Sequence, residues 1–308
     1  MTSLHHSPSA FSEQIDLAVL RVLIYFETFR HPLLPEEVRR FCSMSVVETA
    51  EVTTALKRCV ARSLAWEFEG YYQTVNDPAW VAQRKEKNLL ADRMLPMAHR
   101  AGRLIRQFPY VRGVMVSGSL SKHCMTPDGD IDFFIVTAPG RLWLARTLLV
   151  LFKKVFLFNS RRYFCVNYFI DTQHLEITPQ NLFTAMECAT LLPIADSEWY
   201  CRILEHNPWI RAAYFPNATF YPESCGKATF LQKITEKTFN NRLGTWLDIQ
   251  SMRLTCWFWK RKFSHFDEKI FDQALHSRRY ISRHHPLQFQ EKVLRRYQER
   301  CDALPLHQ

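Results

Sequence analysis

The chain has 308 residues, 47% of them hydrophobic and 23% charged, and this length predicts two or three modules because domains most often contain about 100–150 residues. Forty Lys and Arg against thirty Asp and Glu give a net charge of +10, which favours a polyanionic partner such as nucleic acid or a triphosphate. The nine cysteines are spaced singly and follow no secretory leader, a pattern that excludes a cysteine-based zinc site and predicts reduced thiols in the cytoplasm.

The first part of the chain predicts a tail and a small helical module. Residues 1–14 are polar, which is typical of a mobile tail. Over residues 15–78, apolar positions at helical spacing predict three helices, and Ser45 with Glu48 forms a capping box for the third. Glu69-Gly70 then predicts the turn between two short strands. The module is therefore expected to end in a hairpin.

The order of these elements is similar to a winged helix-turn-helix. In that arrangement the third helix lies against nucleic acid, and its exposed side chains contact phosphates or base edges. The side chains concerned here are those of Thr53, Thr54, Lys57 and Arg58. Winged helices also dock on proteins, so both nucleic acid and protein stay open as partners of this module.

Residues 79–110 are expected to connect this module to the next. The helical pattern runs over residues 80–107 and contains Pro96. The cations of this helix are predicted to form a solvated face, and they are Arg84, Lys85, Lys87 and Arg93.

Beyond Pro109, short apolar strands alternate with a helix, which predicts a small α+β core over residues 111–180. Strands are predicted at 111–117, 130–136, 163–170 and, as a candidate fourth, 175–177. The intervening helix, 142–158, is the most apolar stretch, but Arg146 and Lys153 interrupt it, so no membrane partner is expected. Residues 181–308 are predicted to form a helical C-terminal domain.

Two aspartates at the start of the second strand carry the chemistry. Side chains at positions i and i+2 of an extended chain share a face, so Asp130 and Asp132 are expected to point the same way while Ile131 packs inward. Two carboxylates held side by side repel each other, and a divalent cation is the simplest compensation. Mg²⁺ suits this position because it binds one or two carboxylates together with phosphate oxygens. The alternative is that both aspartates cap the turn that follows Pro127.

The loop that precedes the aspartates supplies a candidate phosphate site. Gly118 lets the backbone approach a phosphate closely, and a helix that starts at Ser119 would direct free N–H groups at it. The Ser119 hydroxyl is a further donor, and Lys122 lies one turn later. These residues are predicted to hold the phosphates of a nucleotide.

An apolar strand ending in Gly-Ser, a gap of ten residues, and Asp-Ile-Asp opening a second apolar strand resembles the nucleotidyltransferase superfamily that includes DNA polymerase beta. The similarity extends to uncharacterised bacterial proteins in which a winged-helix-like module precedes such a core. The resemblance covers about a fifth of the chain, roughly residues 111–177. It implies a mixed sheet with helices on one side, binding of a nucleoside triphosphate such as ATP, and two Mg²⁺ ions. It also implies transfer of a nucleoside monophosphate with release of pyrophosphate.

This family usually supplies a third carboxylate from a later strand, as a metal ligand and base. Glu176 lies between apolar neighbours and is the preferred candidate, whereas Asp171 precedes a predicted turn and is the alternative. Asn167 is either a nucleotide contact or a buried amide bonded to backbone. Two functions therefore stay open: an enzyme acting on nucleic acid, protein or a small molecule, and a nucleic-acid-binding regulator that only senses nucleotide.

Overall fold

A computed structural model of the chain describes residues 8–45, 48–160, 162–218, 221, 229–283 and 289–304. The strands are β1 Trp66–Phe68, β2 Tyr71–Gln73, β3 Val111–Ser117, β4 Asp132–Thr137, β5 Cys165–Asp171, β6 Leu192–Ala195, β7 Ser277–Arg278 and β8 Ile281–Arg283. The helices are α1 Pro8–Glu27, α2 Pro35–Phe41, α3 Thr49–Ala61, α4 Ala79–Arg106, α5 Leu142–Phe156, α6 Leu182–Ala189, α7 Glu198–His206, α8 Phe230–Phe239, α9 Arg242–Lys262, α10 Glu268–Ala274 and α11 Phe289–Asp302.

The centre of the molecule is a mixed six-stranded sheet in the spatial order β6-β3-β4-β5-β8-β7. Strand β3 is antiparallel to β4, and Ser117 at the end of β3 pairs with Asp132 at the start of β4. Strand β5 is parallel to β4, as expected for two strands joined by the helix α5. The combination of helices with a mixed sheet confirms the α+β class.

Helices cover both faces of this sheet. Met115, Phe134 and Tyr168 belong to one apolar core, which continues into α1, α6, α7 and α11. Val114 and Phe133, which point to the opposite face, belong to a second core with residues of α4, α5 and α9. The resemblance implied helices on one side, and this expectation is wrong because apolar side chains alternate on both faces and each set is buried.

The predicted order of three helices and a hairpin is present in the N-terminal module. Helix α1 begins at Pro8, so residues 8–14 are helical where a tail was expected, and residues 1–7 lie outside the described part. Helix α3 is capped by Glu48 and Glu51 rather than by Ser45. The capping box at the start of α3 therefore lies three residues later in the chain than predicted. The hairpin turn has positive φ at Glu69 and Gly70, as a tight hairpin turn requires.

Two cations predicted to be exposed are engaged inside this module. Arg58 donates from Nε to Asp16 Oδ1 at 3.0 Å, and Asp16 is buried. Arg84 is also buried and forms an ion pair with Glu37 at 2.6 Å. A buried charge, here Asp16 in one pair and Arg84 in the other, requires a partner of opposite sign, and that need overrides the default of a solvated face. The winged-helix identity of the module stays a prediction.

The C-terminal part of the chain is mainly helical but also contributes strands. Strand β6 extends the sheet beside β3, and β8 pairs with β5. The expectation of an all-helical segment from residue 181 to 308 is therefore wrong in these places. β6 contains Pro193 and is an edge strand, a position that tolerates the missing N–H of proline. Within the described residues, no helix has both the length and the apolar character needed to cross a membrane.

Candidate active site

The loop after β3 and the start of β4 meet at one end of the sheet. The pairing of Ser117 with Asp132 brings Gly118 directly beside the Asp132 carboxylate. Gly118 has a φ of +70°, and a Cβ atom placed there would lie 2.6 Å from Asp132 Oδ2. Only glycine combines this backbone conformation with so close an approach. The predicted glycine and aspartate are thus adjacent in space.

The residues after Gly118 form one short 3₁₀ turn, Leu120–Lys122, instead of the expected α-helix. A turn of this length ends at His123, whose left-handed conformation stops the helix. The expected helix dipole is therefore missing as a phosphate-binding device. The exposed Ser119 hydroxyl and the nearby backbone remain available as donors.

Lys122 lies at the site, and its ammonium group already has two partners. Its Nζ donates to the Gly118 carbonyl at 3.0 Å and to Glu187 Oε1 at 2.9 Å. The Ser121 hydroxyl donates to the same carbonyl at 2.9 Å. These bonds hold the Gly118 loop in place, and they link it to helix α6.

The Asp130–Asp132 pair flanks a buried isoleucine, as the alternation predicted. Ile131 is fully buried, while Asp130 and Asp132 are both partly exposed. Asp132 Oδ1 accepts a 2.6 Å hydrogen bond from Asn167 Nδ2 on the neighbouring strand β5. Burial raises the pKa of Asp132 to about 6, and the negative charges of Asp130 and Glu187 add to this effect. Carboxylates this close together repel each other, and a bound cation would relieve that repulsion.

The structure does not bring Glu176 to the aspartate pair. Its side chain is exposed, and the segment around it is not a strand. The backbone groups on either side of Glu176 bond instead to the Asn207 side chain, which accepts from the Ile177 N–H and donates to the Leu175 carbonyl. Among the described residues, no three His, Cys, Asp or Glu side chains lie close enough together to hold a metal ion. The expected triad of Asp130, Asp132 and Glu176 is therefore not assembled.

Asp171, the alternative third carboxylate, lies at the other end of the sheet. It is buried, pairs with Thr137 at the far end of β4, and is hydrogen-bonded to His174 Nδ1 at 2.7 Å. Five residues of strand separate Thr137 from Asp132, a distance of roughly 16 Å at the usual rise per residue. Asp171 is thus a turn-forming residue, in agreement with the pattern that follows it.

A cavity of about 470 Å³ opens from the aspartate toward the face of the sheet that carries Phe134 and Tyr168. These two rings stack with centroids 4.5 Å apart. The Tyr168 hydroxyl is buried and has no hydrogen-bond partner among the described residues. The remaining walls come from α6, α10, α11, β8 and the segment after β5, and they include Ile177, Thr178, Phe183, Thr184, Glu187, Cys188, Leu191, Ala274, Arg283, Phe289 and Glu291.

Glu187 is the carboxylate that the sequence reasoning missed. It lines the cavity together with Asp132, and it reaches Lys122 beside the Gly118 loop. A signal was present: Thr184, Glu187 and Cys188 share one face of an otherwise apolar helix, so the acid lies on the inward side. The prediction placed the third carboxylate on a later strand, and it therefore considered only Asp171 at the end of β5 and Glu176 in the segment that follows.

We find no match to this chain among protein-family models, curated proteins or solved structures. The resemblance to nucleotidyltransferases consequently rests on the Gly118–Asp132 motif alone.

Proposed function

We propose that the chain is a Mg²⁺-dependent nucleotidyltransferase that transfers a nucleoside monophosphate from a triphosphate to a hydroxyl acceptor. The observation that carries this proposal is the contact between the Gly118 loop and Asp132 at the mouth of a cavity. Gly118 and Asp132 line this cavity, and the hydroxyl of Ser119, the ammonium group of Lys122 and the carboxylate of Asp130 belong to the same two segments, a set of groups that suits a metal-bound triphosphate.

The donors of the loop would hold the phosphates. The Ser119 hydroxyl is exposed, and Lys122 would exchange its bond to the neutral Gly118 carbonyl for a charged phosphate oxygen. The Lys122–Glu187 ion pair would keep the ammonium group near the loop until substrate binds. Nucleotide binding is thus expected to loosen the contact between this loop and α6.

The aspartate pair fits Mg²⁺ in the mode that uses one or two carboxylates and completes the coordination with phosphate and water. When bound, Mg²⁺ supplies positive charge that stabilises phosphate oxygens during displacement. Asp132 is oriented for this role by the Asn167 amide, which leaves its second oxygen directed toward Gly118. The two ions implied by the resemblance stay a prediction.

The character of the cavity supports a small molecule as acceptor more than the end of a nucleic acid. Its floor is aromatic, and its lining carries three acids, Asp132, Glu187 and Glu291, against one cation, Arg283, so it would repel a polyanionic acceptor that brings no Mg²⁺ of its own. In the proposed reaction the acceptor oxygen attacks the α-phosphorus, the bond to the bridging oxygen breaks, and pyrophosphate leaves. Glu187 would take the acceptor proton, the role that sequence reasoning gave to Glu176.

The test measures pyrophosphate release with each nucleoside triphosphate, Mg²⁺ and a panel of small hydroxylated acceptors. Asp130→Asn with Asp132→Asn should abolish release and Mg²⁺-stimulated nucleotide binding while the fold is kept. Glu187→Gln should lower turnover by about 100-fold or more with little change in nucleotide affinity, because a base acts mainly in the transition state. Glu176→Gln is the matched control, since it removes an exposed glutamate and should be silent. If Glu176→Gln releases no pyrophosphate while Glu187→Gln stays active, the base is Glu176 and not Glu187.

A second candidate function, nucleotide sensing without catalysis, is favoured by one observation. The group beside Asp132 on β5 is the Asn167 amide, which does not accept a proton, where the family usually offers a carboxylate. A sensor would bind nucleotide with Mg²⁺, depend on Asp132, and release no pyrophosphate with any acceptor. That outcome would replace the enzyme proposal. The regulator would then need a nucleic-acid contact, for which Lys57 is an exposed candidate on α3.

A further inference from the structure

The outward side of α9 carries a contiguous set of large apolar side chains. Leu243, Trp246, Leu254, Trp257 and Phe258 are exposed by 55%, 55%, 65%, 57% and 53%. At 3.6 residues per turn these positions fall on one side of the helix, and we call them the α9 stripe. Isolated exposed apolar residues are ordinary, whereas a contiguous patch of this kind marks an interaction surface.

Helix α9 is held firmly by its other side. The Asp248 Oδ1 atom accepts a hydrogen bond from the Leu144 N–H at 2.9 Å, at the start of α5. Trp259 is buried and packs edge-on against Trp143 at 6.4 Å between ring centroids. The stripe is therefore the outer surface of a docked helix, and it does not result from a helix that has failed to pack.

The exposed charge of residues 229–263, which include the stripe, is predominantly positive. Residues 229–263 contain seven basic residues and two acids. Both acids are engaged: Glu236 forms a 2.8 Å ion pair with Arg112, and Asp248 is buried. The seven exposed basic residues are Lys233, Lys237, Arg242, Arg253, Lys260, Arg261 and Lys262.

Three of these cations form a row beside the stripe. Arg242, Arg253 and Lys260 are separated by eleven and seven residues, close to whole numbers of helical turns. Within the described residues, none of the three forms an ion pair with a carboxylate. A long row of cations along the border of an apolar surface calls for a partner that is both apolar and anionic.

The composition of this surface separates the possible partners. A second copy of the chain would bring like charges together across a symmetric interface. Single-stranded nucleic acid would stack on the tryptophans, but it would leave Leu243 and Leu254 without a suitable contact. An anionic bilayer satisfies every group, since aliphatic and indole side chains insert at the headgroup level while cations bind the lipid phosphates.

We propose that α9 is an interfacial helix that attaches the protein to the surface of an anionic lipid bilayer. The stripe inserts into the boundary between headgroups and acyl chains, and the row of cations contacts the headgroups. This attachment is independent of the nucleotide site, because Gly118 and Asp132 belong to a cavity that α9 does not line.

The experiment is co-sedimentation of the full chain with vesicles of phosphatidylcholine alone or mixed with phosphatidylglycerol. Wild type should bind the mixed vesicles and show little binding to phosphatidylcholine. The triple variant Trp246→Ala, Leu254→Ala and Trp257→Ala should lose binding by about tenfold or more, since the inserted apolar area is removed. Its matched control, Leu89→Ala with Leu151→Ala and Val155→Ala, removes three equally exposed apolar side chains elsewhere and should bind like wild type.

The charge row is tested in the same assay. Each basic residue at an anionic surface contributes about fivefold to partitioning, so Arg242→Gln with Arg253→Gln and Lys260→Gln should weaken binding by roughly 100-fold at low salt. Arg93→Gln with Arg100→Gln and Arg103→Gln makes the same change in net charge on α4, and it should have a much smaller effect.

Several results would overturn the attachment to lipid. The first is equal binding to both kinds of vesicle, or none to either. The second is equal loss in the stripe variant and its control, with thermal melting showing that both are folded. Light scattering that shows wild-type dimers and monomers of the stripe variant would assign the surface to a second copy. Loss of single-stranded RNA binding in the stripe variant, with vesicle binding unchanged, would assign it to nucleic acid.

Discussion

Two carboxyl groups, Asp132 and Asp248, share a pKa of about 6 but occupy different surroundings. Burial is the largest cause of the increase in both. Asp248 is fully buried between α9 and α5, whereas Asp132 opens on a cavity and has two other acids nearby. A displaced pKa by itself therefore does not identify a functional site. What distinguishes Asp132 from Asp248 is the open cavity beside it and the negative charge of its neighbours.

The two acids also differ in what they do for the fold. Helix α5 has Arg141 at its N-cap, which offers no side-chain acceptor, and Asp248 supplies the missing acceptor from α9. That bond ties two helices together and explains why an acid is buried there. Asp132 accepts a bond from Asn167 but is also repelled by Asp130. Its position costs stability, as expected of a group kept for binding.

The sharpest way to separate the two regions is to close the space beside Asp132. Gly118→Ala places a methyl group against Asp132 Oδ2 in a backbone conformation that disfavours side chains. We expect a loss of about 1–2 kcal/mol in the free energy of unfolding. Nucleotide affinity should also fall, since the added methyl group displaces the carboxylate that would hold Mg²⁺. Urea unfolding and calorimetry with Mg²⁺ and nucleotide measure the two quantities.

Gly70→Ala is the control for backbone strain. Gly70 has a φ of +79° and nothing within 4 Å of the position of an added Cβ atom. This variant should lose a similar stability and keep the wild-type affinity. Equal affinities in the two variants would show that the contact between Gly118 and Asp132 does not matter for binding.

Local patterns in the sequence predicted the central elements well. Val111–Ser117 was predicted with its observed bounds, and Ile131 is buried as the alternation predicted, although β4 begins at Asp132 and not at Asp130. The short strands β6, β7 and β8 were not predicted, because segments of two to four residues carry no periodic signal. The partners that place β6 and β8 in the sheet, β3 and β5, lie far away in the chain, so only the tertiary structure defines these positions.

The candidate site was predictable only where its residues belong to one segment. Gly118, Asp130 and Asp132 are close in sequence, and a spacing rule suffices for them. Glu187 reaches the site from α6, and Asn167 reaches Asp132 through a parallel pairing between strands. The ion pairs of Arg58 and Arg84 likewise depend on partners from other elements, Asp16 and Glu37. Contacts of this kind follow from topology, which a local pattern does not contain.

A pH titration of stability tests the structural acid of the pair. An acid with a higher pKa in the folded chain binds its proton more tightly there, so the folded state loses stability as the pH rises from about 4 to about 6. The change of Asp248 from 3.8 to about 6 corresponds to at most about 3 kcal/mol. Asp248→Asn keeps the acceptor for Leu144 and carries no charge. We expect it to be more stable than wild type at pH 8, by about 1–3 kcal/mol.

The measurement is urea unfolding of both proteins at pH 4 and at pH 8. The advantage of Asp248→Asn should shrink at pH 4, where the wild-type acid is protonated in the folded state and only about half ionised in the unfolded state. A variant that is less stable than wild type at both pH values would mean that the charge on Asp248 strengthens the cap of α5 more than burial opposes it.

The smallest expected effect concerns the link between Glu187 and Asp132. Glu187 raises the pKa of Asp132 through its negative charge, so Glu187→Gln should lower that pKa by a fraction of a pH unit. The change also releases Lys122 from its ion pair, and the freed positive charge acts in the same direction.

Carbon NMR of the side-chain carboxyl groups without Mg²⁺ follows both acids in one sample. The pKa of Asp248 should stay constant, because its perturbing groups are burial, backbone donors and the cations of Arg141 and Arg279. Glu176→Gln should change neither value, since its carboxylate is exposed to solvent and screened. If Glu176→Gln lowers the pKa of Asp132 as much as Glu187→Gln does, the third acid near the site is Glu176, and Glu187 serves only to hold Lys122.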